Sequence, residues 1–536
     1  MQLSAPKEAH KFFRLIIRTT TVLFSLLFSF NGLPAQTNPP KLILSVVIDE
    51  LDNDQLLLLQ SSFSEKGINR LSREGFRFMS AVSSDFAGYP GTRMTSVYTG
   101  TTPSEHGIIG EQWFDHSNQK FTEEVSFYDK KSLTDAAKNN MSRTIGDHLK
   151  SFYGPKAGVA ALTLNSPWLI HTLGYTPDYF YAFNSNEGQF FDVLKYKNDS
   201  WVDEFNSRHS INGFLSKQWG PVKDITSYIE YRYKSESEQS HFRSFFYDMN
   251  ENGTFGRITG SPYGNTLLRD FTVAFLVNSN FGHDNIPDLL SVCFTSRPFI
   301  DANGSILSAE KEDMLIRLDS EISSLVDFLD IEYGRDNYLI ILTSASSCAP
   351  DKLTSGQEGV NTGYFEGWKT MSLLNLYLMA IHGQGKWVNG YNDGMIFLNR
   401  KLIEENNLSL KEMQEKAAMF MLEVSGVSKA VPTHDLVLGN HCDPMITKNL
   451  FPRRSCDIYI HLFPGWQSTT TELGSRQEGN SGYQTMPFIF FGWKTGKGAW
   501  QENVDAINMI PLLMKEIGLT HPKVAQIEEI PVFNKK

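Results

Sequence analysis

The strongest pattern in the chain is a continuous apolar run, Lys41 to Ile48 (KLILSVVI), closed by Asp49-Glu50 and followed by a helical stretch that ends at Arg73-Glu74-Gly75. A strand that is apolar on both faces belongs in a parallel sheet covered by helices on either side. The pattern recurs twice. Leu289 to Thr295 (LLSVCFT) leads into an amphipathic stretch from Glu312 to Asp330, and Asn337 to Thr343 (NYLIILT) is another short apolar strand. Strands alternating with helices predict an α/β fold on a mostly parallel sheet. Residues 196–260 break the rhythm, being polar, aromatic and poorly periodic, and read as a surface insertion. Residues 355–450 read as a second, mainly helical insertion. The core is thereby divided into 36–195, 261–354 and 451–536, the last with a C-terminal tail.

Ahead of the first strand, Lys7, Lys11, Arg14 and Arg18 precede an apolar run from Thr21 to Phe30 and then Leu33-Pro34-Ala35. This is the charged, apolar, small order of a secretory signal, so residues 1–35 are read as a cleaved leader and the protein as periplasmic or otherwise exported. The apolar run is shorter than the roughly 20 residues that cross a bilayer, so no transmembrane span is expected after cleavage. Removing one acidic and four basic side chains with the leader takes the formal charge from -11 to about -14, which excludes nucleic acid as a partner. Four cysteines, Cys293, Cys348, Cys442 and Cys456, are too few for a disulfide-built fold and are not spaced as a zinc knuckle. In an exported chain Cys442 and Cys456, fourteen apart, are candidates for a disulfide stabilising by about 3 kcal/mol; the alternative is two free thiols.

Ligands of an open parallel sheet gather beyond the carboxyl ends of its strands. That rule singles out Asp49, the loops 297–302 and 344–348, and the helix at Thr92–Tyr98. A two-metal hydrolase needs several carboxylates and imidazoles there, because each zinc takes about four N or O ligands at roughly 2 Å. Asp49 alone meets the need. Elsewhere, His434, Asp435, His441 and Asp443 are ligand-type residues, but their spacing follows no zinc motif and they read as surface polar groups.

Four phrases in order, Tyr98–Asp115 (YTGTTPSEHGIIGEQWFD), Ser261–Phe271 (SPYGNTLLRDF), Pro287–Ser296 (PDLLSVCFTS) and Phe451–Trp466 (FPRRSCDIYIHLFPGW), give the chain a resemblance to a known family. It resembles the phosphate-irrepressible bacterial alkaline phosphatases and the nucleotide pyrophosphatase/phosphodiesterases of the alkaline phosphatase superfamily, from about Lys41 to about Leu519. The resemblance implies a three-layer α/β core with surface insertions and, in working members, an in-line displacement at phosphorus by a Thr or Ser held by two zinc ions. Of the seven positions that carry this chemistry, the aspartate closing the first strand is kept as Asp49. The nucleophile position falls on Pro90, which has no hydroxyl. The Asp and His after the strand ending at Thr295 correspond to Pro298 and Ala302, the Asp and His after Thr343 to Ala345 and Ser346, and the last His to Thr485. The Asn of Gly-Asn-x-Trp is Glu111, a carboxylate that would repel a phosphate dianion, and the phosphate-gripping Lys-x-Arg corresponds to Asn165-Ser166-Pro167. Thr92, two residues past Pro90 at a helix start, is the candidate for a displaced nucleophile, weighed against an ordinary helix-start threonine with no base or metal to activate it. His106 belongs to the structural pattern.

The expected function is therefore that of a catalytically inactive pseudoenzyme: an exported binding or scaffold protein with a protein or cell-envelope partner and no cofactor. The alternative is an active phosphoric-ester hydrolase with a rearranged site, for which zinc would be needed. No Ser-His-Asp constellation supports a metal-free hydrolase. Asp49 and Glu111 are expected to face the former metal pocket, and because lone buried carboxylates are costly, Arg93 or Arg297 is expected to pair with one of them.

Overall fold

The computed structural model describes residues 38–533 except 84, 87, 124, 126–136, 196, 209–211, 233–244, 251–254, 301–306, 347–362, 440–442, 470–475, 478–483 and 523–529. The proposed leader, Ala302, Cys348, His441 and Cys442 lie outside the described residues. The central sheet has ten strands. In chain order they are β1 (Leu42–Asp49), β2 (Phe76–Ser83), β3 (Val159–Thr163), β4 (Tyr179–Asn184), β5 (Gln189–Asp192), β6 (Asp288–Thr295), β7 (Tyr338–Ser344), β8 (Gln484–Gly492), β9 (Gly498–Trp500) and β10 (Val504–Asp505). Across the sheet they run β9-β2-β8-β7-β1-β6-β3-β4-β5, with β10 also on β2.

The three strands read from the sequence form its centre. β1 lies parallel to both β6 and β7, with Asp49 level with Thr295 and Ile48 level with Ser344. Their apolar side chains alternate between two cores. On one face Ile43, Val47, Cys293 and Ile341 pack under α3 (Pro90–Thr99) and the C-terminal helix. On the other, Leu44, Val46, Val292 and Leu342 pack under α1 (Asn53–Leu58), α2 (Ile68–Glu74), α4 (Pro262–Asn278) and α5 (Ala309–Glu332). A sheet buried on both faces is the three-layer arrangement, and β8 enters it antiparallel to both β7 and β2.

The insertion at 196–260 carries short helices and a two-stranded pair, Gln218–Trp219 with Tyr247–Asp248. It is fastened to the start of α5 by the buried Asp313, which accepts hydrogen bonds from Trp219 Nε1 (2.8 Å), Tyr228 OH (2.6 Å) and the Val222 amide (2.7 Å) of the insertion, and from Arg317 Nε (2.7 Å) within α5. The second insertion carries strands beside its helices. Helices Gly367–His382 and Leu410–Leu422 pack on a four-stranded sheet of Val388–Asn392, Met395–Leu398, Ile458–Leu462 and Val427–Pro432. Ile458–Leu462, assigned from sequence to the core, is an inner strand of this sheet. The turn Asn392-Asp393-Gly394 closes its hairpin with positive φ at Asp393 (45°) and Gly394 (80°), the left-handed pair that an Asp-Gly hairpin turn uses. No helix among the described residues is long and apolar enough to cross a membrane.

Candidate functional site

The carboxyl ends of β1, β3 and β6 open on a cleft of about 310 Å³, lined by Asp49, Asn165, Ser166, Thr295, Arg297 and Pro298 among others. Its floor is the turn that follows β1. Glu50 has φ +57°, a left-handed conformation disfavoured for a side chain of this kind, and three serines hold it there. Ser296 Oγ donates to the carbonyls of Asp49 (2.8 Å) and Glu50 (3.0 Å). Ser344 Oγ accepts from the Leu51 amide (3.2 Å), and Ser346 Oγ accepts from the Glu50 amide (3.1 Å) while donating to Asp49 Oδ1 (2.7 Å).

Asp49, the retained carboxylate, is thereby tied into a web of hydroxyls. Burial pushes its carboxyl above the usual range, the neighbouring Glu50 adds to this, and the Ser346 hydrogen bond, Arg297 and Lys311 pull the other way. The neighbouring carboxylate, Glu50, meets Arg297 Nη1 at 3.3 Å and Lys311 Nζ at 3.6 Å.

Arg93, in the first turn of α3, does not lie at the mouth of a pocket. Its side chain is 2% exposed; Nε meets Asp85 Oδ1 at 3.2 Å, and Nη1 donates to the carbonyl of Ala345 at 3.3 Å. Ser83 Oγ donates to the same Asp85 oxygen. The expected pairing of Arg93 or Arg297 with Asp49 or Glu111 is corrected accordingly: Arg297 reaches this end of the sheet and acts electrostatically on Asp49, but its ion pair is with Glu50, and Arg93 turns to Asp85. Glu111 is not a buried pocket carboxylate either. It is exposed and acts on Asp393, whose carboxyl is pushed up to about 8, first by burial and then by Glu111.

Pro90 is the first residue of α3, where its missing N–H costs nothing. Thr92 is fully buried, its hydroxyl without a hydrogen-bond partner among the described residues, so it offers no accessible nucleophile. His106 is also buried. Its Nδ1 accepts from the Ile108 amide (3.1 Å), which leaves Nε2 to donate to Ser96 Oγ (2.9 Å), and burial holds the ring neutral. Ala345 and Ser346 are buried at the end of β7, Pro298 is half-buried on the cleft wall, and Thr485 is exposed at the start of β8. His434 pairs with Asp435 (3.1 Å) whereas Asp443 faces Lys429 (3.4 Å) and His461 (3.5 Å), so these residues form ordinary polar clusters. Of the two cysteines of the candidate disulfide, Cys442 lies outside the described residues, and Cys456 is buried with its Sγ donating to the carbonyl of Ile458 (3.2 Å). Sequence reasoning missed Asp85, Glu50 and Lys311. Asp85 carried one signal, an acid in the short loop eight residues before Arg93.

A family model described as type I phosphodiesterase / nucleotide pyrophosphatase matches residues 47–484. The chain belongs to that family. Within it, the phosphodiesterase-family chain is 25% identical to a calcium-transporting ATPase of Myroides odoratus over 524 residues, covering 92% of this chain and 95% of that protein. It is 22% identical to alkaline phosphatase PafA of Elizabethkingia meningoseptica over 514 residues, covering 91% and 93%. A crystal structure of PafA superposes with a TM-score of 0.80 at 22% identity, over 92% of this chain and 98% of that one, which shows the alkaline-phosphatase-like fold.

The two zinc ions implied by the superfamily do not fit the residues present. The corresponding positions supply one carboxylate, Asp49, already bound by Ser346, together with Ala345, Pro298 and an exposed Thr485. No group of three or more His, Cys, Asp or Glu side chains among the described residues is arranged to hold a metal ion. The buried Arg93 guanidinium donates to the Ala345 carbonyl and is paired with Asp85, and it is not itself a metal ligand.

Proposed function

We propose that this family member is a catalytically inactive pseudoenzyme, an exported binding or scaffold component of the cell envelope that keeps the phosphatase-like core as a rigid platform. The observation that carries the reading is the Arg93 guanidinium, buried against Asp85 and donating to the Ala345 carbonyl. A guanidinium neither ligates zinc nor serves as a base at neutral pH, and its neighbours Ser344 and Ser346 spend their hydroxyls on holding the turn after β1. The cleft left beside Asp49 and Arg297 is polar and small, suited to gripping a polar group of a protein or envelope partner, and the acidic surface disfavours nucleic acid.

The second reading, an active phosphoric-ester hydrolase with a rearranged site, draws on the relatives named alkaline phosphatases and on the openness of that cleft at the strand ends. One experiment separates the two. The purified mature chain is incubated with excess zinc, dialysed, and measured for metal content and for turnover of an aryl phosphate. The pseudoenzyme reading expects substoichiometric zinc and no turnover above buffer. Close to two zinc ions per chain with chelator-sensitive turnover would overturn it.

A further inference from the structure

The helices Gly367–His382 and Leu410–Leu422 of the second insertion share their core with a pair of parallel strands, Gly363–Glu366 and Trp466–Thr469. Between these elements the surface opens as a cleft of about 500 Å³, a volume that accommodates small organic ligands. Its walls are largely aromatic and apolar, formed by Tyr364, Phe420 and Trp466 with Leu373 and Val424. These walls are open to solvent, Tyr364 being 39% and Leu373 56% exposed. Trp466 is set in place by two glycines: a Cβ at either Gly363 or Gly426 would collide with its ring, so the indole lies closer to both backbones than a side chain would allow. That wall is therefore built into the fold.

The charge of the cleft has one sign. Its charged lining groups are Glu366, Lys369 and Glu423. Lys369 Nζ donates to both carboxylate oxygens of Glu366 at 2.6 Å, which sets that base against that acid. Glu423 is exposed and forms no ion pair among the described residues, so the lining carries one net negative charge. Glu423 is also the C-cap of Leu410–Leu422, and Val424 and Ser425 continue from it along the wall. The carboxyl end of a helix carries a partial negative charge that favours a cation, and aromatic faces attract cations through the ring quadrupole. The carboxylate, the helix end and the aromatic wall thus select the same ligand charge, and all three disfavour an anion.

We propose that this cleft binds an organic cation with an apolar body, its ammonium group held by Glu423 and the aromatic wall and its apolar part laid against Leu373 and Val424. The site belongs to the second insertion, apart from the cleft at Asp49, and it is independent of whether that cleft is catalytic.

Benzyltrimethylammonium is the probe, with benzyl alcohol as its uncharged and benzoate as its anionic counterpart. Each is titrated calorimetrically at low ionic strength into the mature chain and into Glu423→Gln, Tyr364→Leu and Asp284→Asn, the last removing an exposed acid ahead of β6. Saturable binding of benzyltrimethylammonium is expected, with benzyl alcohol at least about fivefold weaker and benzoate not bound. Glu423→Gln should weaken the cation about two- to fivefold by removing the open carboxylate, and Tyr364→Leu should do so by a similar factor, keeping an apolar side chain but losing the aromatic face. Asp284→Asn should bind as the parent does. Both cleft variants change exposed side chains and should melt with the parent, while the comparison of the three probes on the parent stands without any variant. No saturable binding of benzyltrimethylammonium, equal or tighter binding of benzyl alcohol or benzoate, or undiminished binding in both cleft variants would each overturn the proposal.

Discussion

Replacing Arg93 by methionine tests the electrostatic core of the site. The two side chains of the Arg93–Asp85 pair are each 2% exposed and meet at 3.2 Å. With an effective dielectric of about 20, two unit charges that close attract by roughly 5 kcal/mol. Arg93→Met removes this attraction and leaves Asp85 with the Ser83 hydroxyl as its remaining support, Oδ2 having no partner among the described residues. Breaking a buried pair from one side costs about 3–5 kcal/mol, because the surviving charge stays desolvated. Removing both partners does not, since their desolvation is relieved together, so Arg93→Met/Asp85→Leu is expected to recover most of the loss. The assay is urea unfolding of parent, two single variants and the double variant, followed by tryptophan fluorescence and far-UV circular dichroism as a double-mutant cycle. A destabilisation below about 1 kcal/mol for Arg93→Met, or a double variant as weak as the sum of the singles, would refute the reasoning.

Asp393 gives a pH signature. Its folded pKa is raised from 3.8 to about 8, so the folded state holds a proton that the unfolded state has lost, and stability should fall by up to about 1.4 kcal/mol per pH unit as pH rises through that window. Asp393→Asn keeps the left-handed turn preference and should flatten this dependence, as measured by urea unfolding at pH 5, 6, 7 and 8; an unchanged slope would discount the buried carboxyl. Asp313→Ala strands the donors of Trp219, Tyr228 and Arg317 and should cost at least about 3 kcal/mol locally. Hydrogen exchange should show the 217–231 segment losing protection before the central strands; uniform loss would contradict a separately fastened insertion.

The centre of the fold was legible because β1, β6 and β7 are buried on both faces, and a continuous apolar run has few other solutions. The hairpin at 388–398 escaped notice although Asp393-Gly394 marks it, because the helices on either side dominate the local periodicity. Ile458–Leu462 was misassigned because the pairing of an inner strand is set by partners distant in sequence. At the site, Asp49 was readable from its place at the end of β1, whereas the choice of Arg93 for Asp85 depends on the path of the loop after β2. The role of Ser346 was hidden for a similar reason: a serine in place of a metal ligand reads as a loss, yet its hydroxyl holds the one carboxylate that remains.

The position of β8 has a consequence for how the chain is made. The strand Gln484–Gly492 lies between β2 and β7 and is hydrogen-bonded to both, so β2 cannot be joined to the rest of the sheet until nearly the whole polypeptide has been synthesised. A nascent chain lacking its last fifty or so residues holds β1, β6 and β7 with one long edge exposed, and β2 has no place to dock. Pairings that span such sequence distances are slow to form and leave open strand edges in the meantime. C-terminal truncation should accordingly act as an all-or-none lesion, removing β8, β9 and β10 together and leaving β2 without any partner strand.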